Sequence, residues 1–214
     1  MKVILVARAA LWLLFSLEAL VLAGVVDMPS SALTWPWLLY LIGAYLLLME
    51  LPLFLTRSRP DQQRHFTLLA VAMVVNHVSD APGQLIDLYR TSAFYDKVLH
   101  ATSLPFLIGA FCLGVALILR DDYGLERIPV FVPCFIVLAG MFLSVTHEFI
   151  ELTIDLATAS NAGTTTTDIH DTALDLAADL VGLLVFAAAW SIGQRRWGGA
   201  AVVESSGPVG IGRF

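Results

Sequence analysis

The sequence predicts an all-α integral membrane protein, a bundle of six transmembrane helices with both termini in the cytoplasm. Three observations predict it. The 214 residues are 58% apolar and 14% charged, with a mean hydropathy of +0.80, whereas a soluble domain carries about 25% charged residues. Six apolar stretches fall at 3–26, 33–55, 66–88, 96–119, 128–155 and 171–193, each near the roughly 20 residues that cross about 30 Å of hydrocarbon. With six spans, Lys2, Arg8, Arg57, Arg59, Arg64, Arg120, Arg127, Arg195, Arg196 and Arg213 sit at cytoplasmic ends and only Arg90 and Lys97 outside, the asymmetry that cytoplasmic retention of basic residues produces. The net charge of −6 excludes a basic nucleic-acid-binding protein and leaves membrane lipids as the expected surroundings.

Each element has its own grounds. Lys2 precedes an apolar run too long for a cleavable signal, and that run carries Arg8 and Glu18, so it is the first span. Asp27-Met28-Pro29-Ser30-Ser31 makes a turn, and Thr56 to Asp61 a polar loop after the second span. In the third stretch only Phe66 to Val78 is cleanly apolar before Ser79-Asp80-Ala81-Pro82-Gly83. A short or broken helix is expected there, followed by an interfacial piece from Gln84 to Tyr95. Arg120-Asp121-Asp122-Tyr123-Gly124 stops the fourth helix. The flexible loop Ser160 to Thr167 separates the fifth from the sixth. The six-helix domain is expected to cover 1–196, and 197–214, rich in Gly and Ser without periodicity, to be a disordered tail. Cys112 and Cys134 lie in apolar stretches and form no disulfide framework.

Under this topology four helices bring polar groups to the outer face. The third stretch ends with Asn76, His77 and Asp80, and the fourth opens with Asp96, Lys97 and His100. The fifth ends with His147, Glu148, Glu151 and Asp155; the sixth opens with Asp168, His170, Asp171, Asp175 and Asp179. Residues three or four apart share a helix face. Asp96 with His100, Glu148 with Glu151, and the stripe Asp168, Asp171, Asp175 and Asp179 all have that spacing.

Clustered carboxylates at a membrane face repel one another, and burying each costs several kcal/mol unless a cation or shared protons compensate. A divalent metal is the simplest compensation, its ligands expected from Asp96, His100, Glu148, Glu151, Asp171 and Asp175. Oxygen-rich ligation suits Mg, Mn or Ca, and imidazole admits Zn or Fe. His147-Glu148-Phe149-Ile150-Glu151 also resembles the helical ligand pair of zinc enzymes, with Glu in place of the second His. His147 points about 100° from Glu148 around the helix, so whether it, Asp168, His170 or Asp179 joins the site stays open. Asp80, Asp155 and Asp168 serve equally well as solvated carboxylates, and Asp168 and Asp171 as N-terminal charges of the sixth helix. Lys97 either neutralises a substrate anion or pairs with Asp96 or headgroups. Glu18 is placed to reach the outer cluster, and Glu50 to pair with Arg8.

The strings Tyr95-Asp96-Lys97-Val98-Leu99-His100, Glu148-Phe149-Ile150-Glu151, and Asp168 with His170-Asp171-Thr172-Ala173-Leu174-Asp175 resemble the signature blocks of the YjdF-like bacterial inner-membrane proteins, and Gly182 matches a glycine after the last block. The resemblance covers about 95–182 and implies a multi-pass protein of the bacterial cytoplasmic membrane. It supports the choice of residues and supplies no reaction. Leu152 and Leu174 stand where that family tends to place aromatics. A more distant similarity is to VanZ-like membrane proteins, which implies a cell-envelope setting.

The expected function is therefore that of a membrane protein with an outer-face metal site. As an enzyme it would perform metal-assisted hydrolysis or transfer on a lipid-linked or phosphate-bearing substrate, with Glu151 or Glu148 as general base. The alternatives are a cation- or proton-coupled transporter, in which Glu18, Asp179 and Glu50 mark a path, and an assembly protein with a neutralised polar core. The inner halves Ile108 to Leu119, Ile128 to Gly140 and Val181 to Ile192 are almost wholly apolar, which counts against a path.

Overall fold

The computed structural model describes residues 2–28, 33–86, 88–92, 94–162 and 169–205, and all of its regular structure is helical. Helix α1 is Lys2–Leu22, and α2 is Trp35–Tyr45, opened by the Thr34 hydroxyl accepting from the Trp37 N–H. A π-helical turn, Leu46–Glu50, joins α2 to α3, Leu51–Leu55. Pro52 explains the widened turn: it has no N–H to offer the Leu48 carbonyl and its ring crowds that oxygen, so the Leu51 N–H reaches back to Leu46 instead. The short α4, Pro60–Gln63, leads into α5, Thr67–Leu85.

Helix α5 is continuous through Ser79 to Gly83, where a break was expected. Pro82 sits in its last turn, where an interrupted hydrogen bond costs least. The interfacial piece is the short α6, Leu88–Thr91. The fourth stretch, expected as one helix, is divided into α7, Tyr95–Ala101, and α8, Ser103–Tyr123. Pro105 is the cause: it cannot donate to the Ala101 carbonyl, and the helix restarts with the Phe106 N–H on Thr102. Gly124, at φ +65°, ends α8 in the left-handed conformation that favours glycine. Helices α9, Phe131–Ala162, and α10, Ile169–Ser205, complete the bundle. The last runs past Trp197, into the segment expected to be a tail, and residues 206–214 lie outside the described residues.

Among the described residues, five helical segments are long and apolar enough to cross a membrane: Lys2–Leu22, Trp35–Leu55, Tyr95–Tyr123, Phe131–Ile154 and Asp171–Gln194. The six expected spans thus reduce to five by this measure. Helix α5 falls short because Asn76, His77, Ser79, Asp80 and Gln84 occupy its second half. Its first half is nonetheless core, with Leu69, Ala70 and Ala72 fully buried against α1 and α8.

The central helix is α8, which packs against α5, α9 and α10. Small residues allow the close approach that membrane helices need: Gly109 admits the Phe186 ring, Gly114 the Phe66 ring and Gly140 the Leu183 side chain. One end of the bundle is tied by ion pairs between the outlying loops and helices. Arg59 meets Asp122 at 2.9 Å, His65 approaches Asp121 at 3.6 Å, and Arg8 meets Glu50 at 2.7 Å, the pairing expected from their depth. At the opposite end lie the carboxylates and histidines.

Candidate metal centre

Helix α7 carries three of the site's residues on less than two turns, and the break at Thr102 is what lets it lean across α10. Gly182 completes that crossing. A Cβ there would lie 2.5 Å from Pro105 Cγ and 2.9 Å from the Ala101 carbonyl oxygen, so only glycine lets α10 come this close.

His100 is the hub, buried to 4% exposure. Its Nδ1 lies 3.2 Å from Asp179 Oδ1 and 3.5 Å from Glu148 Oε1, and its Nε2 lies 3.6 Å from Asp96 Oδ1. Asp179, whose membership of the site was open from the spacing, is thus held at the centre with no solvent exposure. On α9, His147 Nδ1 lies 2.5 Å from the Tyr40 hydroxyl and its Nε2 3.7 Å from Glu151 Oε2. The His100 and His147 rings are 5.8 Å apart.

Ligand-type atoms of His100, His147, Glu148 and Glu151 all lie within 4.8 Å of one another, and so do those of Asp96, His100 and Asp175. Five of the six expected ligands are therefore distributed over two adjoining groups that share His100. The sixth, Asp171, is in neither: its side chain is 62% exposed and lies 2.6 Å from Lys97 Nζ. Lys97 also meets Asp175 at 2.7 Å and Asp96 at 3.1 Å. The pairing expected with Asp96 is present, and two carboxylates of α10 are added to it.

A second polar nest faces the first. Glu18 on α1 and His77 on α5 pair at 2.9 Å with almost no exposure. Asp80 accepts a hydrogen bond from the Tyr89 hydroxyl, and Tyr95 donates to the Ser79 carbonyl. Burial first, and the adjoining Asp80 carboxylate second, raise the Tyr89 phenol well above its usual range, so it remains a donor. Asp80, which by sequence serves equally well as a solvated carboxylate or a ligand, is buried. Asp168 and the side chains of Asp155 and His170 lie outside the described residues.

Between the two nests is a cavity of about 40 Å³, walled by Trp37, Asn76, Asp80 and Tyr89 on one side and Asp96, His100, His147 and Glu151 on the other. A water needs at least about 10–15 Å³, so an ion with a water fits. Buried oxygens without a hydrogen-bond partner include Glu18 Oε2, Asp80 Oδ2, Glu148 Oε1 and Asp179 Oδ2. An unpartnered buried oxygen costs on the order of 1–3 kcal/mol, more when charged; Asp80 lines this cavity, and Glu148 and Asp179 lie against the His100 ring that walls it, so a bound cation and water would offset that cost. Trp37 and Tyr40 of α2, which wall and support the cavity, escaped sequence reasoning. They belong to an apolar helix with no polar spacing to mark them.

A family model described as "predicted membrane protein (DUF2238)" matches residues 9–196. No curated protein and no solved structure matches the chain.

Proposed function

The chain belongs to the DUF2238 family of predicted membrane proteins, and we propose from its side-chain geometry that it is a metal-dependent membrane protein holding one divalent cation on His100, His147, Glu148 and Glu151. The observation that carries this reading is the convergence of these four side chains within 4.8 Å, with Glu148 Oε1 buried and unpartnered. Two imidazoles with two carboxylates suit Zn, Fe or Mn better than Mg. The Tyr40 hydroxyl can accept from the His147 Nδ1–H, which turns the lone pair of Nε2 toward the other ligands. Metal-binding histidines are ordinarily oriented in this way.

A bound divalent cation supplies Lewis-acid polarisation and a water pKa lowered toward neutrality. The protein's own groups divide the remaining work. Glu148, at 7% side-chain exposure, is the fixed anionic ligand. Glu151, at 35%, lines the cavity, and with one carboxylate oxygen serving as ligand its other oxygen is the group placed to take a proton from water there. Phe94 and Val98 are exposed beside the site and suit contact with acyl chains. The reaction class this supports is hydrolysis or group transfer on a lipid-linked, phosphate-bearing substrate at the extracytoplasmic membrane face. A transport path is disfavoured by the buried cluster of Ile108, Leu113, Val132, Ile136 and Leu183, which packs α8, α9 and α10 together.

Elemental analysis of detergent-purified protein tests the metal. The wild-type chain is expected to retain about one equivalent, Glu148→Gln to lose at least tenfold in affinity, and the exposed Asp171→Asn to retain it. Negligible metal in all three monodisperse preparations would overturn the reading in favour of a polar core neutralised by Lys97 and His100 alone.

A further inference from the structure

The second group, Asp96, His100 and Asp175, is not used by the site just proposed except through the shared His100 ring. It differs from the first in one respect: it already contains a cation. The Lys97 ammonium sits within 2.6–3.1 Å of carboxylate oxygens from Asp96, Asp171 and Asp175. Asp175 is buried to 4% exposure, and one turn deeper on the same face of α10 Asp179 is fully buried with Oδ2 unpartnered. One ammonium among so many carboxylates leaves the outer end of α10 strongly anionic. Lys97, on a flexible four-carbon stem and 25% exposed, is the one member of the group that can withdraw toward headgroups without moving a helix.

We propose that Asp96, His100 and Asp175, with Asp179 beneath them, form a second divalent-cation site whose place is held by the Lys97 ammonium, so that the second cation enters by exchange with it. Asp175 of α10 and the two side chains of α7 converge within 4.8 Å and supply hard carboxylate oxygens and one imidazole nitrogen, a set suited to Mn or Mg, with the Asp179 carboxylate adding negative charge beneath them. Asp171, exposed at the rim, gives the departing ammonium an intermediate partner. The inference deepens the metal reading above and shares His100 with it, Nδ1 facing Glu148 and Nε2 facing Asp96, so that with both cations bound the ring bridges them and releases its remaining N–H proton to solvent; its separate claim concerns stoichiometry and Lys97.

The probe is Mn²⁺ alone, added to chelator-stripped, detergent-purified protein. The wild-type chain is expected to bind one equivalent and then a second at least tenfold more weakly. Lys97→Met is expected to bind the second at least tenfold more tightly than wild type, and Asp175→Asn to lose the second while keeping the first. His147→Ala is expected to lose the first and keep the second. A second readout needs no substitution, since Lys2 and Lys97 are the only lysines. Acylation of Lys97 by an amine-reactive reagent, followed by mass spectrometry with Lys2 as internal reference, is expected to accelerate as Mn²⁺ fills the second site. One equivalent in both wild type and Lys97→Met, or Lys97 acylation indifferent to Mn²⁺ in wild type, would overturn the second site and leave the first standing. Absence of binding in every variant would overturn both.

Discussion

At the scale of single residues, Gly182 connects the packing of the bundle to its chemistry. The missing side chain admits the Pro105 ring and the Ala101 carbonyl oxygen, and these hold α7 against α10 so that His100 faces Asp179 and Lys97 faces Asp175. Gly182→Ala must push one of these groups away, and overpacking of this kind costs about 1–3 kcal/mol. Gly43→Ala, with open space around the new methyl, is expected to be neutral or slightly stabilising. Thermal unfolding of the two variants in the same detergent checks the pair, and equal midpoints would contradict the packing described. The chemistry-bearing residues were largely legible as residue types at helical spacing. His100, Glu148, Glu151 and Asp175 stood out because a carboxylate or imidazole in an apolar stretch has a desolvation cost that something must offset. The partner of each was not legible. The joining of Glu18 to His77, and of His147 to Tyr40, depends on which faces of separate helices meet, and no local spacing encodes that.

At the scale of elements, two of the prolines inside apolar stretches, Pro52 and Pro105, mark the two departures from simple helices described above. Pro52 converts a turn to π-helix and sets Glu50 against Arg8 and the Tyr45 hydroxyl. Pro105 divides the fourth span at Thr102. Pro105→Ala would restore the donor for the Ala101 carbonyl and favour one continuous helix from Tyr95 to Tyr123. The expected result is a chain with unchanged helical circular dichroism but about tenfold weaker metal affinity, the usual order for a disturbed supporting shell, although no ligand has been altered. Unaltered affinity would show that the break does not orient α7. Helix α5 illustrates the opposite case. Its Ser-Asp-Ala-Pro-Gly string argues for interruption on local propensity, yet the helix continues, because Asp80 and Gly83 are buried against Tyr89 and Pro82 falls in the final turn.

At the scale of the whole molecule, the charge partition supplies an expected orientation of the bundle. The described arginines Arg8, Arg57, Arg59, Arg64 and Arg120 lie toward one end, and the carboxylate and histidine cluster, with Lys97 in it, lies toward the other. Retention of basic residues in the cytoplasm therefore predicts that Ser58→Cys is labelled by a membrane-impermeant maleimide only in inverted vesicles and Ser92→Cys only in intact cells, in a background with Cys112 and Cys134 replaced. The reverse pattern would place the candidate site on the cytoplasmic side. Composition alone determined that this is a helical membrane protein, because an apolar chain in lipid must satisfy its backbone within each helix. Spacing alone determined which polar residues share a face. Only the tertiary structure decided that those faces converge on a small cavity, that Asp171 stays at the rim while Asp179 becomes central, and that Lys97 fills one half of the cluster. The physical reason is that a helix fixes directions within itself through a 3.6-residue repeat, whereas the contacts between helices are set by the shape of the bundle, here by the glycines along α8, α9 and α10 and by the proline break that separates α7 from α8.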